Sequence, residues 1–93
     1  MYVLFCVESR EFVLSVVPDE PLPLLYWGRE ITPLAIIPSL DDAIFMAGEV
    51  QRVHYSEDLY HYSIQVLELG PNNIPRFNTP AFEIPARRGR SVN

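Results

Sequence analysis

Two apolar runs open the chain, and neither shows the alternation of a strand that faces water on one side. Residues 2–7 read YVLFCV, and within residues 12–17 Ser15 is the only polar position. Polar residues 8–11 separate the two runs, as in the loop of a β-hairpin. Since half-exposed strands alternate apolar and polar positions, the pattern predicts a hairpin whose sheet is covered on both faces.

A proline-rich stretch separates this hairpin from the next predicted element. Three prolines within residues 18–23 predict a loop as far as Leu25, because proline removes a backbone donor and restricts the residue before it. Residues 31–37 then have the composition of a third strand, and Pro33 restricts that strand to an edge of the sheet.

Ser39 marks the predicted start of one helix. Its hydroxyl can accept a hydrogen bond from the first turn, where the negative charges of Asp41 and Asp42 complement the helix dipole. Apolar residues recur every three or four positions and predict a helix through about Val53. A glycine costs a helix about 1 kcal/mol relative to alanine, so we expect another element to approach closely at Gly48. The apolar stripe consists of Leu40, Ala43, Ile44, Ala47 and Val50, with His54 as a further candidate.

A last predicted strand and a proline-rich segment complete the chain. Residues 56–58 form a polar loop, and residues 60–69 alternate apolar and polar positions as a half-buried strand does. Four prolines within residues 71–93 exclude a helix or a central strand there. We expect the apolar side chains of this segment to contact the sheet face away from the helix, unless another chain covers that face. These side chains are Phe77, Phe82 and Ile84.

The pattern as a whole predicts an α+β fold. Residues 1–70 form one small domain, with an antiparallel sheet of three or four strands in the order β-β-(β)-α-β and one helix on one face. Residues 71–93 form an extended C-terminal arm with a basic tip. Ninety-three residues leave room for one such domain.

The charge distribution is uneven along the chain. Twelve acidic residues oppose seven arginines, there is no lysine, and the net charge is −5. Three arginines lie in the basic tip, so residues 1–86 contain four arginines and twelve acids, a net charge of −8. An acidic body favours basic partners, including proteins that themselves bind nucleic acid. The alternative is that this charge only keeps a small domain in solution.

The cysteine content and the hydropathy of the chain indicate the cellular compartment. The single Cys6 cannot form an internal disulfide, and no cysteine and histidine spacing is typical of zinc, which favours a reduced, cytoplasmic protein. The chain lacks the pattern of a secretion signal, and no apolar run approaches the ~18 residues that cross a bilayer. We expect no contact with a membrane.

Two groups of side chains are candidates for catalysis or metal binding. Cys6 with His54 or His61 could pair a thiol with a base, but a cysteine inside an apolar strand usually packs as a small hydrophobe. Both histidines with Glu57 and Asp58 could hold a divalent metal, but their spacing matches no ligand pattern. We predict no catalytic residue, no metal and no cofactor, and therefore no enzyme.

Aromatic residues and the arginines of the tip are the candidates for partner binding. Aromatic rings give contact area at low entropic cost, and arginine is enriched at interfaces. Three charges without an adjoining aromatic platform do not favour direct binding of nucleic acid. The candidates are Tyr26, Trp27, Phe45, Tyr55, Tyr60, Tyr62, Phe77, Phe82, Arg87, Arg88 and Arg90.

The order of elements resembles that of small accessory proteins of phages and mobile elements, a group that includes anti-CRISPR inhibitors. Residues 2–69 carry the likeness, through the hairpin, the segment around Trp27 and the helix opening that begins at Ser39. The resemblance implies an inhibitor of a host defence or nucleic-acid-binding protein, located in the host cytoplasm. It assigns no role to any single residue.

We therefore expect a small acidic protein that works by binding another protein, either a host target or further copies of itself. The alternative is a structural subunit of a larger assembly, such as a virion component, whose C-terminal arm locks into its neighbours.

Overall fold

A five-stranded antiparallel sheet with one helix on one face forms the core of the protein. The structure is a computed structural model that describes residues 1–20, 23–58 and 63–86. The sheet order is β3-β2-β1-β4-β5, which confirms the α+β class and gives one strand more than the largest number predicted. The strands are β1 (Tyr2–Cys6), β2 (Glu11–Val17), β3 (Leu24–Gly28), β4 (Ile64–Glu68) and β5 (Phe82–Ile84), and the helix is α1 (Leu40–Asp58).

The third strand lies earlier in the chain than the sequence predicted. It comprises Leu24–Gly28, where Tyr26 and Trp27 supply aromatic residues that favour strands. The predicted strand over residues 31–37 is instead a 3-10 turn, Pro33–Ala35, followed by a single bridge from Ile37 to Tyr2. Pro33 causes this difference, because its fixed φ suits the first position of a helical turn and it cannot donate to a strand.

Helix α1 begins where the sequence predicted. The backbone N–H of Asp42 donates to the Ser39 hydroxyl at 3.3 Å, and that of Ala43 donates to the Ser39 carbonyl oxygen at 3.0 Å. The helix continues to Asp58 and includes the predicted loop over residues 56–58, since neither proline nor glycine interrupts residues 49–58. The expectation at Gly48 is wrong: it is exposed, and an added Cβ would meet nothing within 4 Å.

Two hydrophobic clusters lie on opposite faces of the sheet, as the two-sided apolar pattern predicted. The helix-side cluster contains Leu4, Cys6, Val13, Ala43, Ala47, Val50, Ile64 and Val66. The second face carries Val3, Phe5, Phe12, Ala35 and Leu67, with Ile31 and Ile36 packed on them. The turn between β3 and α1 therefore covers part of the face that the helix leaves open.

A β-bulge at Leu14 changes which side chains of β2 face the helix. Val13 pairs with Trp27 and Ser15 pairs with Tyr26, so Leu14 is the extra residue. As a result Val13 and Val16 both pack in the helix-side cluster although they are three positions apart. Residues directly opposite each other in a sheet project to the same face.

The C-terminal arm joins the sheet. Phe82 pairs with Val66 and Ile84 pairs with Ile64, so both arm residues project to the helix side. The prediction that they would cover the second face is therefore wrong, but it is confirmed for Phe77, whose ring centroid lies 5.1 Å from that of Phe5.

Candidate functional site

The two edges of the sheet differ in how well they are protected. β5 spans three residues and includes the charged Glu83, whereas β3 spans five residues, LLYWG, without a charge or a proline. Charged residues, prolines and short length are the devices by which natural edge strands avoid pairing with other chains. β3 lacks them and is the outermost strand on its side of the described sheet.

An apolar patch lies beside this edge and is defined here as the edge patch: Val17, Leu24 and Tyr26. Their exposed fractions are 40%, 45% and 52%. Val16 and Leu25 are paired and pack on the helix side. Because successive side chains of a strand point to opposite faces, the neighbouring pair Val17 and Leu24 lies on the other face, and so does Tyr26. The part of the chain that the structure describes leaves these side chains largely uncovered.

The second face also contains a groove with an aromatic floor. The rings of Phe5 and Phe12 lie 5.1 Å apart, and Phe77 packs edge-on against Phe5 at an interplanar angle of 74°. Two adjoining depressions have volumes of about 550 and 400 Å³, and Phe12, Arg29 and Phe77 line both of them. Together they are called the aromatic groove.

Two arginines line the aromatic groove. Arg10 and Arg29 are exposed in the wall of the smaller depression, and Glu30 is the acidic residue that lines the larger one. Among the described residues there is one ion pair, between Arg52 and Glu49 at 2.7 Å. Neither groove arginine is neutralised by such a pair within the described part of the chain. The groove is therefore locally basic on a body that is strongly acidic.

Three residues other than glycine adopt a positive φ in the described chain, and all three line the groove. They are Arg10, at the end of the β1–β2 loop with φ 61°, and Asn72 and Asn73, with φ 59° and 56°. Asparagine tolerates this left-handed conformation, whereas arginine adopts it at a cost of about 1–2 kcal/mol. Thr32 also lines the larger depression, and its hydroxyl oxygen is buried without a hydrogen-bond partner among the described groups.

The structure separates the predicted partner-binding residues instead of gathering them. Tyr26 belongs to the edge patch, and Trp27, its neighbour, packs against the helix-side cluster. Phe45 is 67% exposed on α1. Phe77 belongs to the aromatic groove, and Phe82, at 39% exposed, lies on β5 at the far edge.

Several of the predicted residues cannot be placed. Tyr60, Tyr62, Arg87, Arg88 and Arg90 lie outside the described residues, and so does His61. The side chains of His54, Tyr55, Glu57 and Asp58 are likewise outside the description. Their roles stay predictions.

Sequence reasoning missed Val17, Leu24, Arg10 and Arg29. The signal for Leu24 was present, since LLYWG is a run of strand-forming residues, but the prolines before it favoured a loop. Val17 is exposed because the bulge at Leu14 changes the alternation of β2. The groove arginines line one depression because the hairpin loop and the end of β3 lie side by side, an arrangement that the pattern along the chain does not specify.

Cys6 belongs to the helix-side cluster and has no exposed surface. A thiol in that position packs as an apolar side chain. Among the described side chains, which do not include those of residues 54–58, no group of three metal-ligating side chains is present, and the predicted metal candidates are not among them.

Comparison with known proteins finds no family model that matches the chain, no curated protein that matches its sequence and no solved structure that matches its fold. In the described part of the chain, no helix has the length and apolar character needed to cross a bilayer.

Proposed function

We propose that this protein acts by binding another protein at the β3 edge of its sheet. The observation that carries the proposal is the outer strand of the described sheet, Leu24–Gly28, which has neither a charge nor a proline, with the exposed edge patch beside it. An extended segment of a partner would add a strand to β3, with main-chain hydrogen bonds for affinity and side-chain contacts for specificity.

The edge patch supplies the apolar part of this contact. Val17, Leu24 and Tyr26 each retain about half of their surface, and covering that surface contributes on the order of 1 kcal/mol for each side chain. Tyrosine is also among the residues that most often dominate binding energies at interfaces. A partner that pairs with β3 would cover Leu24 and Tyr26 first, because both lie on that strand.

The charge of the body indicates the kind of partner. Residues 1–86 carry a net charge of −8, which attracts a basic protein over a distance of about 8–10 Å at physiological salt. A host protein with a nucleic-acid-binding site has such a surface. We propose that the protein is an accessory protein of a phage or mobile element. It would occupy the nucleic-acid-binding surface of a host protein and would have no enzymatic activity.

The alternative of a structural subunit rests on the C-terminal arm. Residues 82–84 pair with the protein's own β4, and Gln51 donates a hydrogen bond to the Pro85 carbonyl oxygen at 2.9 Å. Up to Ala86 the arm is thus part of its own fold. Locking into neighbours would fall to residues 87–93, which lie outside the described residues.

The test is capture of a partner by the tagged protein and by two surface variants. Leu24→Lys places a charge on the β3 edge, and Phe45→Lys is the matched control, because Phe45 is also exposed but lies on α1. We expect one protein to be retained by the unmodified chain and by Phe45→Lys, released by rising salt, and lost with Leu24→Lys. Equal retention by all three proteins would contradict the proposal, and so would retention of particle components of its own system.

A further inference from the structure

We propose that the aromatic groove binds an acidic peptide segment that carries apolar side chains. This site is distinct from the β3 edge, since its floor is formed by Phe5, Phe12 and Phe77 on the second face of the sheet. It therefore adds a second ligand to the protein proposed above and does not depend on the partner of the edge.

Charge complementarity selects the acidic ligand. Arg10 and Arg29 line the smaller depression together with Gln65, and among the described residues no acidic side chain lines it. A guanidinium group binds carboxylates through two parallel hydrogen bonds, which makes arginine the usual residue for this recognition. Residues 1–86 contain only four arginines, and two of them line this one depression. The depression is therefore positively charged although the body as a whole is acidic.

The apolar floor selects a peptide over a free anion. Phe77 is 47% exposed above Phe5 and Phe12, and Pro33 and Pro75 form walls of the larger depression. The two depressions are open to solvent, and their volumes of about 550 and 400 Å³ far exceed that of one carboxylate. An extended segment would place a carboxylate between the arginines and an apolar side chain against Phe77.

The chain's own basic tip does not fit this site. Residues 87–93 contain three arginines and no acidic side chain, so Arg10 and Arg29 repel them. Like charges placed together in an interface oppose binding.

The test uses two labelled eight-residue peptides and the intact protein. One peptide alternates phenylalanine with aspartate, and the other has lysine at each aspartate position. We expect fluorescence anisotropy to show that the acidic peptide binds at least tenfold more tightly than the basic one, despite the net charge of −5 on the protein. Equal binding, tighter binding of the basic peptide, or no saturable binding would overturn the proposal.

Variants locate the binding within the groove. We expect Arg29→Gln to weaken the acidic peptide about five- to tenfold, while Arg52→Gln, which removes the same charge from the ion pair on α1, leaves the affinity unchanged. Leu24→Lys should also leave it unchanged, since an added charge on β3 blocks the edge and not the groove. Loss with Leu24→Lys alone would assign the peptide to the edge and overturn the groove site. Dimers that the acidic peptide dissociates would overturn it too, because a second copy would then be the occupant.

Discussion

The side-chain amide of Gln51 donates a hydrogen bond to the backbone carbonyl oxygen of Pro85, with a nitrogen–oxygen distance of 2.9 Å. Gln51 is only 7% exposed and is the one buried polar residue of the described chain. The contact joins the middle of α1 to the end of β5. It makes the C-terminal arm, at least to Pro85, a structural part of the domain.

Replacing Gln51 with alanine tests this role. We expect Gln51→Ala to lower the free energy of unfolding by about 1–2 kcal/mol, because it removes the hydrogen bond and leaves the Pro85 carbonyl oxygen without that partner. Urea denaturation measures the change. Glu49→Ala is the control on the same helix: its ion pair with Arg52 is exposed, so the expected loss is at most about 0.5 kcal/mol. Equal effects of the two variants would contradict the role of Gln51.

Phe77 and Phe45 form a matched pair of exposed phenylalanines. Phe77 packs on Phe5 and Phe12, whereas Phe45 is 67% exposed on α1. We expect Phe77→Leu to lower stability by about 1 kcal/mol through loss of the edge-to-face contact, and Phe45→Leu to change it by less than about 0.5 kcal/mol. Thermal denaturation of both variants gives the comparison, and the reverse order would contradict the packing of the arm on the second face.

Two glycines should respond differently to alanine. Gly48 lies in α1 with open space around an added Cβ, so Gly48→Ala should stabilise the protein by about 0.5–1 kcal/mol. At Gly28 the added Cβ would lie 2.6 Å from Cδ1 of Leu14, the end of a flexible side chain that has to move aside, so Gly28→Ala should gain less stability than Gly48→Ala. Melting temperatures measure both changes. A larger gain for Gly28→Ala than for Gly48→Ala would contradict the packing of Leu14 over β3.

Replacing Arg10 with glycine should raise the stability of the protein and weaken its binding of the acidic peptide. Its φ of 61° is strained for arginine but natural for glycine at the end of a hairpin loop. We expect Arg10→Gly to raise the free energy of unfolding by about 0.5 kcal/mol and to weaken binding of the acidic peptide. Arg10→Ala removes the same charge but keeps a strained backbone, so chemical denaturation should show no gain in stability for it.

The sequence predicted those features that depend on local chemistry. The cap at Ser39, the buried alanines Ala43 and Ala47, and the two-sided sheet all follow from residue type and spacing, and the structure confirms them. The third strand was misplaced because three prolines precede Leu24–Gly28 and because residues 31–37 contain more β-branched residues.

Features that depend on long-range pairing could not be read from the chain. The bulge at Leu14 becomes visible only once β3 is paired with β2, and it decides that Val17 and Tyr26 share one exposed surface. The pairing of Phe82 with Val66 likewise decides which face the arm residues take. The hairpin and the end of β3 bring Arg10 and Arg29 together although nineteen positions separate them in sequence.

The most direct test of the central claim, that the β3 edge binds another protein, is photo-cross-linking from a single position. A benzoylphenylalanine group replaces Tyr26 in one preparation and Phe45 in another, since both are exposed aromatic positions. The account predicts that position 26 cross-links one partner protein and that position 45 does not cross-link it. Cross-linking of that partner from position 45 alone, or from neither position, would contradict binding at the β3 edge.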